Sequence, residues 1–336
     1  MKSTRRIFIL ILIILFSLSL AGCNTDSLGE YKKASDKTEQ IKKGQTSGEI
    51  ALSMDFNTES MTQEEIRELN YYKDLKGSFA AVYDKESKKF IYRNYLNMGG
   101  LGFDFDYYMN GSEAFIKLPV IGKYMKLNEI QELEKNKVDD EYTENIISKE
   151  ALEAISKNWI NLMNKDDVFK GKDIVLTTPD GEVKTTEYTI KLNDEQIKKL
   201  FTECMSIASK DESFKRFYSE VQKNAKVFEG KALDKMLSDM KENINDYTVE
   251  SFRYIAYVDI DGYIVNERVE AALIVKSDEM PGLRGIKFNM DIKNWNINKS
   301  QSFSFPELTE ENTVKFEDMK KNNTFIVEDL FSSDKK

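Results

Sequence analysis

Histidine is absent from the chain, and that absence removes whole classes of chemistry. No Ser-His-Asp or Cys-His catalytic pair can form, nor a histidine zinc site, nor an imidazole pH switch. Cysteine occurs only as Cys23 and Cys204, too few for a disulfide framework or a thiol cluster at metal spacing. Proline is scarce at four, and no repeat of about 20–50 residues is visible. A phosphate loop is missing too. Gly99, Gly100 and Gly102 fall between strand-like runs, and no Lys-Ser/Thr pair follows them. Carboxylate or Ser-Lys chemistry stays formally open, but no local pattern points to it. The chain reads as a non-enzyme with no cofactor.

Positive charge is in deficit. Lys and Arg number 49 against 58 Asp and Glu, a formal net charge of −9, and the lysines are mixed with acids throughout. Without a basic stripe interleaved with aromatics, nucleic acid is not expected as a partner. With 40% hydrophobic residues, stability has to come from a core.

The sequence has one long apolar run. Ile7 to Leu20 carries no charge, follows Lys2, Arg5 and Arg6, and ends in Leu20-Ala21-Gly22-Cys23. A spanning helix needs about 18–20 apolar residues, so this shorter run reads as a signal peptide over residues 1–22. Its last four residues resemble the bacterial lipobox, which implies cleavage before Cys23 and diacylglycerol on that residue. One acyl chain anchors only marginally, whereas two or three hold stably. The expected product is a domain of 314 residues and net charge −12, tethered to the cell membrane on its extracytoplasmic side. The expected divisions are signal peptide 1–22, lipidated tether 23–29, a single α+β domain 30–331 and a polar tail 332–336.

Along the chain, Leu28 to Lys43 reads as a charged helix with a thin apolar stripe. From Glu49 to Phe56 the period changes to two, with Ile50, Leu52, Met54 and Phe56 alternating against polar or small residues. After a charged excursion, Glu59 to Asn70, similar runs recur at 77–83, 89–96, 102–109 and 113–118, separated by turn-rich pieces such as Asn110-Gly111. The middle is mostly helical. Ser148 can cap a helix with Leu152, Ile155, Trp159 and Leu162 on one face. A hairpin through Pro179-Asp180-Gly181 follows. Asn193 and Gln196 then form a capping box for a helix expected to lay Ile197, Leu200, Phe201, Cys204 and Ile207 on the sheet. Helices are expected at 211–224 and 231–243, and strands at 249–260, 263–276 and 285–297. Phe303-Ser304-Phe305-Pro306 looks like a short closing strand.

Local motifs have plain readings. Asp259-Ile260-Asp261-Gly262 lacks the further acids of a calcium loop and reads as a hairpin turn. Asp104 and Asp106 share one strand face, where two carboxylates could hold a cation or act as an acid/base pair, but a solvated face is the better reading. Cys204 reads as a small core residue. Methionines such as Met54, Met236, Met240 and Met290 fill cores, yet their adaptable thioethers also suit an apolar groove. A twisted sheet with one apolar face and several amphipathic helices has two outcomes: the helices seal the face, or they leave a cleft.

Three segments carry a family resemblance: Glu113-Ala114-Phe115-Ile116-Lys117-Leu118-Pro119 leading to Lys123-Tyr124-Met125, then Tyr188-Thr189-Ile190-Lys191-Leu192, and Tyr257 through Val265 before the Phe-x-Phe-Pro close. With the order of elements on a lipobox chain, they resemble bacterial lipoproteins of the lipoprotein-carrier (LolA/LppX-like) type over residues 28–310. That resemblance implies a large curved antiparallel sheet, a half-barrel cradle with helices packed on its concave face, which holds acyl chains or serves as an envelope sensor. The expected function is binding or carriage of lipid or another hydrophobic ligand. The cleft would be lined by Ile50, Leu52, Met54, Phe56, Leu200, Phe201, Met236, Met240, Ile286, Phe288 and Met290. The alternative is a closed-core module that binds an envelope protein through its acidic surface.

Overall fold

The computed structural model describes residues 26–117, 122–127, 147–224, 233–276 and 282–314. The chain opens on helix α1 (Ser27–Glu39), whose N-cap Asp26 accepts a hydrogen bond from the Gly29 N–H. Strands β1 (Lys43–Phe56), β2 (Asp74–Asp84), β3 (Lys89–Met98), β4 (Leu101–Asn110), β5 (Glu113–Lys117) and β6 (Tyr124–Lys126) follow, with α2 (Gln63–Tyr72) inserted after β1. Helix α3 (Lys149–Leu162) leads to the hairpin β7 (Val168–Thr178) and β8 (Gly181–Ile190). Helices α4 (Asp194–Ala208), α5 (Glu212–Asn224) and α6 (Leu233–Glu242) come next, then β9 (Tyr247–Asp259), β10 (Ile264–Val275) and β11 (Leu283–Trp295).

All eleven strands form one antiparallel sheet in the order β6-β5-β4-β3-β2-β1-β11-β10-β9-β8-β7. The fold is α+β, and among the described residues the sheet is open, with β6 and β7 at its edges. Pairing of β1 with β11, Ile50 opposite Met290 and Leu52 opposite Phe288, joins the two meanders. The sheet is curved. The Asp180 carboxylate in the β7–β8 turn accepts hydrogen bonds from Asn296 N at 3.2 Å and Lys299 Nζ at 3.3 Å. With β9 and β10 between them, those groups would be roughly 15–19 Å apart in a flat sheet.

Because paired residues share a face and neighbours alternate, the register defines two faces. The apolar face carries Ile190, Tyr188, Tyr254, Ala256 and Val269 on one half of the sheet. There α1, α3 and α4 cover it. Tyr31, Ala34, Trp159, Leu162, Met163 and Ile197 pack against Val168, Tyr188, Ile190, Tyr254 and Ala256 in the main core.

Several sequence expectations need correction. The excursion at Glu59–Asn70 contains α2, opened by a Thr62/Glu65 capping box in which Glu65 Oε2 accepts from Thr62 N at 2.6 Å. Its Leu69 is buried. Phe303–Pro306 is not a strand. This segment runs across the sheet, and Phe303 and Phe305 pack on Ile91, Tyr108 and Phe115 of the polar face. A segment lying across strands cannot join their ladder, and pairing resumes only where Thr313 bridges Tyr124 in parallel. On α3, Leu152 points to solvent at 49% exposure, so the buried stripe is narrower than expected. On α4, Ile197 reaches the main core and Ala208 is buried, while Leu200 and Phe201 are only half-buried because α4 also packs beside α3. Finally, α1 starts at Ser27, inside the span expected to be tether. Cys23 lies outside the described residues.

Candidate functional site

The other half of the apolar face, over β4, β3, β2, β1 and β11, is where the candidate site lies. Register lines up Phe103, Leu96 and Gly77 with Ile50 and Met290, then Phe105, Asn94 and Phe79 with Gly48 and Ile292. The next row is Tyr107, Tyr92 and Ala81 with Thr46 and Asn294. Aromatic rings form a continuous run: Phe79 with Tyr92 at 6.0 Å, Tyr92 with Phe90 and Phe105 at 6.1 Å each, and Phe90 with Tyr107 at 5.8 Å between centroids. Such offset and tilted pairs are the favoured geometries. A Cβ added at Gly48 would lie 2.4 Å from the Phe79 ring, so the glycine is what lets that ring lie across β1.

This surface is not sealed. Ile50 is 38% exposed, Leu96 41%, Leu101 46% and Phe105 42%, neighbours on one sheet face of the kind that exposed apolar patches at binding surfaces present. Asn94 is the polar exception. Its Oδ1 is buried without a hydrogen-bond partner, between Phe79 and Phe105.

Of the residues expected to line a cleft, Ile50, Leu52, Met54, Ile286, Phe288 and Met290 come together on this face through the β1–β11 register. Phe56 sits beside Leu283 past a bulge at the strand end. Leu200 and Phe201 lie on α4, which packs on β9. Met236 and Met240 are on α6, but their side chains lie outside the described residues. Phe79, Tyr92, Leu96 and Phe105 were missed. The signal was present, since the turns at 84–88 and 98–100 fix the β2–β3–β4 register and so the shared face of those alternating residues.

The opposite face differs in kind. A cavity of about 580 Å³ opens there, bordered by Glu49, Lys76, Tyr95, Arg268, Glu270 and Asp291. Three of its charges are paired, with Arg268 Nε 2.9 Å from Asp291 and Arg253 Nη2 2.5 Å from Glu270. It is a solvated ionic surface rather than a built pocket. Asp104 and Asp106 also lie on this face. Asp106 accepts from the Tyr108 hydroxyl at 2.9 Å and pairs with Arg93, and Asp104 stands opposite Tyr95. Asp259 accepts from Tyr263 N at 2.8 Å, and Gly262 turns at φ +82°, so Asp259–Gly262 is a hairpin turn. The Cys204 thiol is half-buried, and burial with Glu203 beside it pushes its pKa up, away from reactivity.

Where the covered and open halves of the apolar face meet, Glu267 lies among Ile292 and Ala256 and accepts a hydrogen bond from the Tyr254 hydroxyl. Burial pushes its carboxyl above the ordinary glutamate range, against the lowering effect of that hydrogen bond. The folded protein then binds this proton more tightly than the unfolded chain, so the contribution is full below the ordinary glutamate pKa and is lost as pH rises through the elevated one. Glu267→Gln is therefore expected to raise the melting temperature relative to the parent at pH 7, with the gap shrinking toward pH 5. A gap independent of pH would show that Glu267 does not titrate differently on folding.

No protein-family model matches the chain, and no curated protein matches it. Among solved structures, a β-barrel-like protein of a domain of unknown function from Brucella abortus is similar at 11% identity and a TM-score of 0.16, covering 77% of this chain and 99% of that one. An N-terminal dehydratase from the difficidin assembly line is similar at 9% identity and a TM-score of 0.10, covering 79% of this chain and 82% of that one. Overlaps this poor carry no inference about fold or function.

Proposed function

We propose that this protein is a membrane-anchored, non-enzymatic binder of lipid or another elongated apolar ligand, held to the extracytoplasmic side of a membrane through diacylglycerol on Cys23. The observation that carries the reading is the half-exposed apolar face of β4, β3, β2, β1 and β11, which continues into a half covered by α1, α3 and α4. In this reading the apolar face is the inner side of a half-barrel and the helices border the ligand. An acyl chain laid along it gains about 0.8 kcal/mol per methylene removed from water. The orphan Oδ1 of Asn94 suits a ligand O–H or N–H, because a buried acceptor gains most from a donor it lacks. A closed-core module that binds an envelope protein is less favoured, since four large side chains on this face stay more than a third exposed.

Native mass spectrometry of the protein purified from bacterial cells is expected to show a co-purifying lipid, and the delipidated protein is expected to take up a fluorescent fatty acid. A protein that comes up empty and takes up none would sink the proposal.

A further inference from the structure

The beginning of β7 combines three features that the ligand face does not use. Phe169 is 50% exposed on an edge strand. Lys191 Nζ lies 5.6 Å above its ring, and Lys172 is exposed directly after Gly171 in the bulged stretch between Lys170 and Asp173. Among the described residues no carboxylate lies within ion-pair distance of Lys172 or Lys191. Of the nearby acids, Asp166 is exposed, Glu187 accepts from Thr189 Oγ1 at 3.2 Å, and three others are engaged. Glu30 accepts from Lys170 Nζ at 2.8 Å and from the Tyr188 hydroxyl at 2.6 Å, Asp173 accepts from Thr186 at 2.7 Å, and Asp167 accepts from Gln196 at 2.8 Å.

The position of this patch relative to Cys23 gives it meaning. Glu30 lies in the first turn of α1, so its bond to Lys170 sets the start of that helix directly over the start of β7. Only Asn24 and Thr25 lie between Cys23 and the N-cap Asp26. At no more than about 3.6 Å per residue, the stretch from Cys23 to Asp26 reaches roughly 10 Å. A lipid on Cys23 therefore holds this edge of the sheet, rather than the β9–β10 turn at the other end, against the membrane.

We propose that the start of β7 rests on the bilayer, with the Phe169 ring in the headgroup layer and Lys172 and Lys191 taking the phosphates of anionic phospholipids. The proposal rests on the anchor reading of Cys23. An aromatic body flanked by lysines suits that layer, where apolar and charged groups are satisfied at different depths. The acidic net charge repels the rest of the surface from the same lipids, which helps fix the orientation. The lysines and the bulge also discourage pairing of the edge strand with another copy.

The test uses the full lipidated chain in vesicles of phosphatidylglycerol and phosphatidylcholine, with and without brominated acyl chains. Mass spectrometry of the N-terminal peptide reports on Cys23. Phe169→Trp is expected to add indole emission, over the background of Trp159 and Trp295, that shifts blue in vesicles and is quenched by bromine. Ile260→Trp, in the β9–β10 turn and 85% exposed, is expected to show neither. Combining Lys172→Glu and Lys191→Glu with Phe169→Trp is expected to lose the quenching. An unmodified Cys23 would remove the anchor reading and this proposal with it. A modified Cys23 with no quenching at position 169 would overturn the proposal and leave the anchor standing. A blue shift that follows protein concentration rather than vesicles would assign the edge to a second copy and overturn it as well.

Discussion

Tyr31→Ala is expected to destabilise the protein by about 3–5 kcal/mol, the range for removing a large buried aromatic side chain. Tyr31 is 1% exposed and joins three elements at one point. Its ring meets Tyr254 of β9 edge-on at 6.0 Å, and its hydroxyl accepts from Trp159 Nε1 of α3 at 3.0 Å. Trp159 in turn packs on Tyr254 at 5.4 Å. Truncation leaves a cavity under α1 and strands the indole N–H. Burial pushes the Tyr31 hydroxyl up to about 12, so it stays neutral throughout the working range. Tyr31→Phe keeps the packing and removes only the hydroxyl that accepts from Trp159, at a cost of about 1–3 kcal/mol if the indole N–H is left without a partner. Urea titration of both variants separates the two terms. A Tyr31→Ala loss under 1 kcal/mol would mean that α1 is not docked on the sheet as described.

The second large effect concerns binding. Phe105→Glu and Ile50→Glu each place a carboxylate on the open apolar face, at positions 42% and 38% exposed. Exposed positions tolerate such changes within about 0.5 kcal/mol of stability. An acyl chain laid over a charge must desolvate it or leave a gap, and losing the burial of one large side chain alone costs about 1.5–3 kcal/mol. Fatty-acid uptake is therefore expected to weaken at least about tenfold in either variant, with melting temperature nearly unchanged. Glu49→Lys, one residue from Ile50 but on the ionic face, is expected to bind as the parent does. Equal uptake by all four proteins would place the ligand elsewhere.

Much of the fold was legible in local chemistry. Ser148, and Asn193 with Gln196, announced their helices because a capping side chain satisfies N–H groups that the helix itself cannot. The alternation in β1 and β11 announced strands with one apolar face, and pairing placed Ile50, Leu52 and Met54 opposite Met290, Phe288 and Ile286. The Thr62/Glu65 box announced α2 equally well, but the surrounding charge masked it. What remained hidden was how faces combine. Periodicity says which side of a segment is apolar, not what covers it, since cover is supplied by residues far away in the chain. The helices close over β7 to β10 and leave β11 and β1 to β4 open, and Phe303 and Phe305 cross the ionic face instead of adding a strand. By itself the sequence determined the α+β class, the strand faces and the absence of histidine chemistry, all set by residue type and short-range spacing. Only the tertiary structure decided which half of the apolar face stays exposed and which sheet edge lies beside the start of α1, because both depend on long-range packing between elements more than a hundred residues apart.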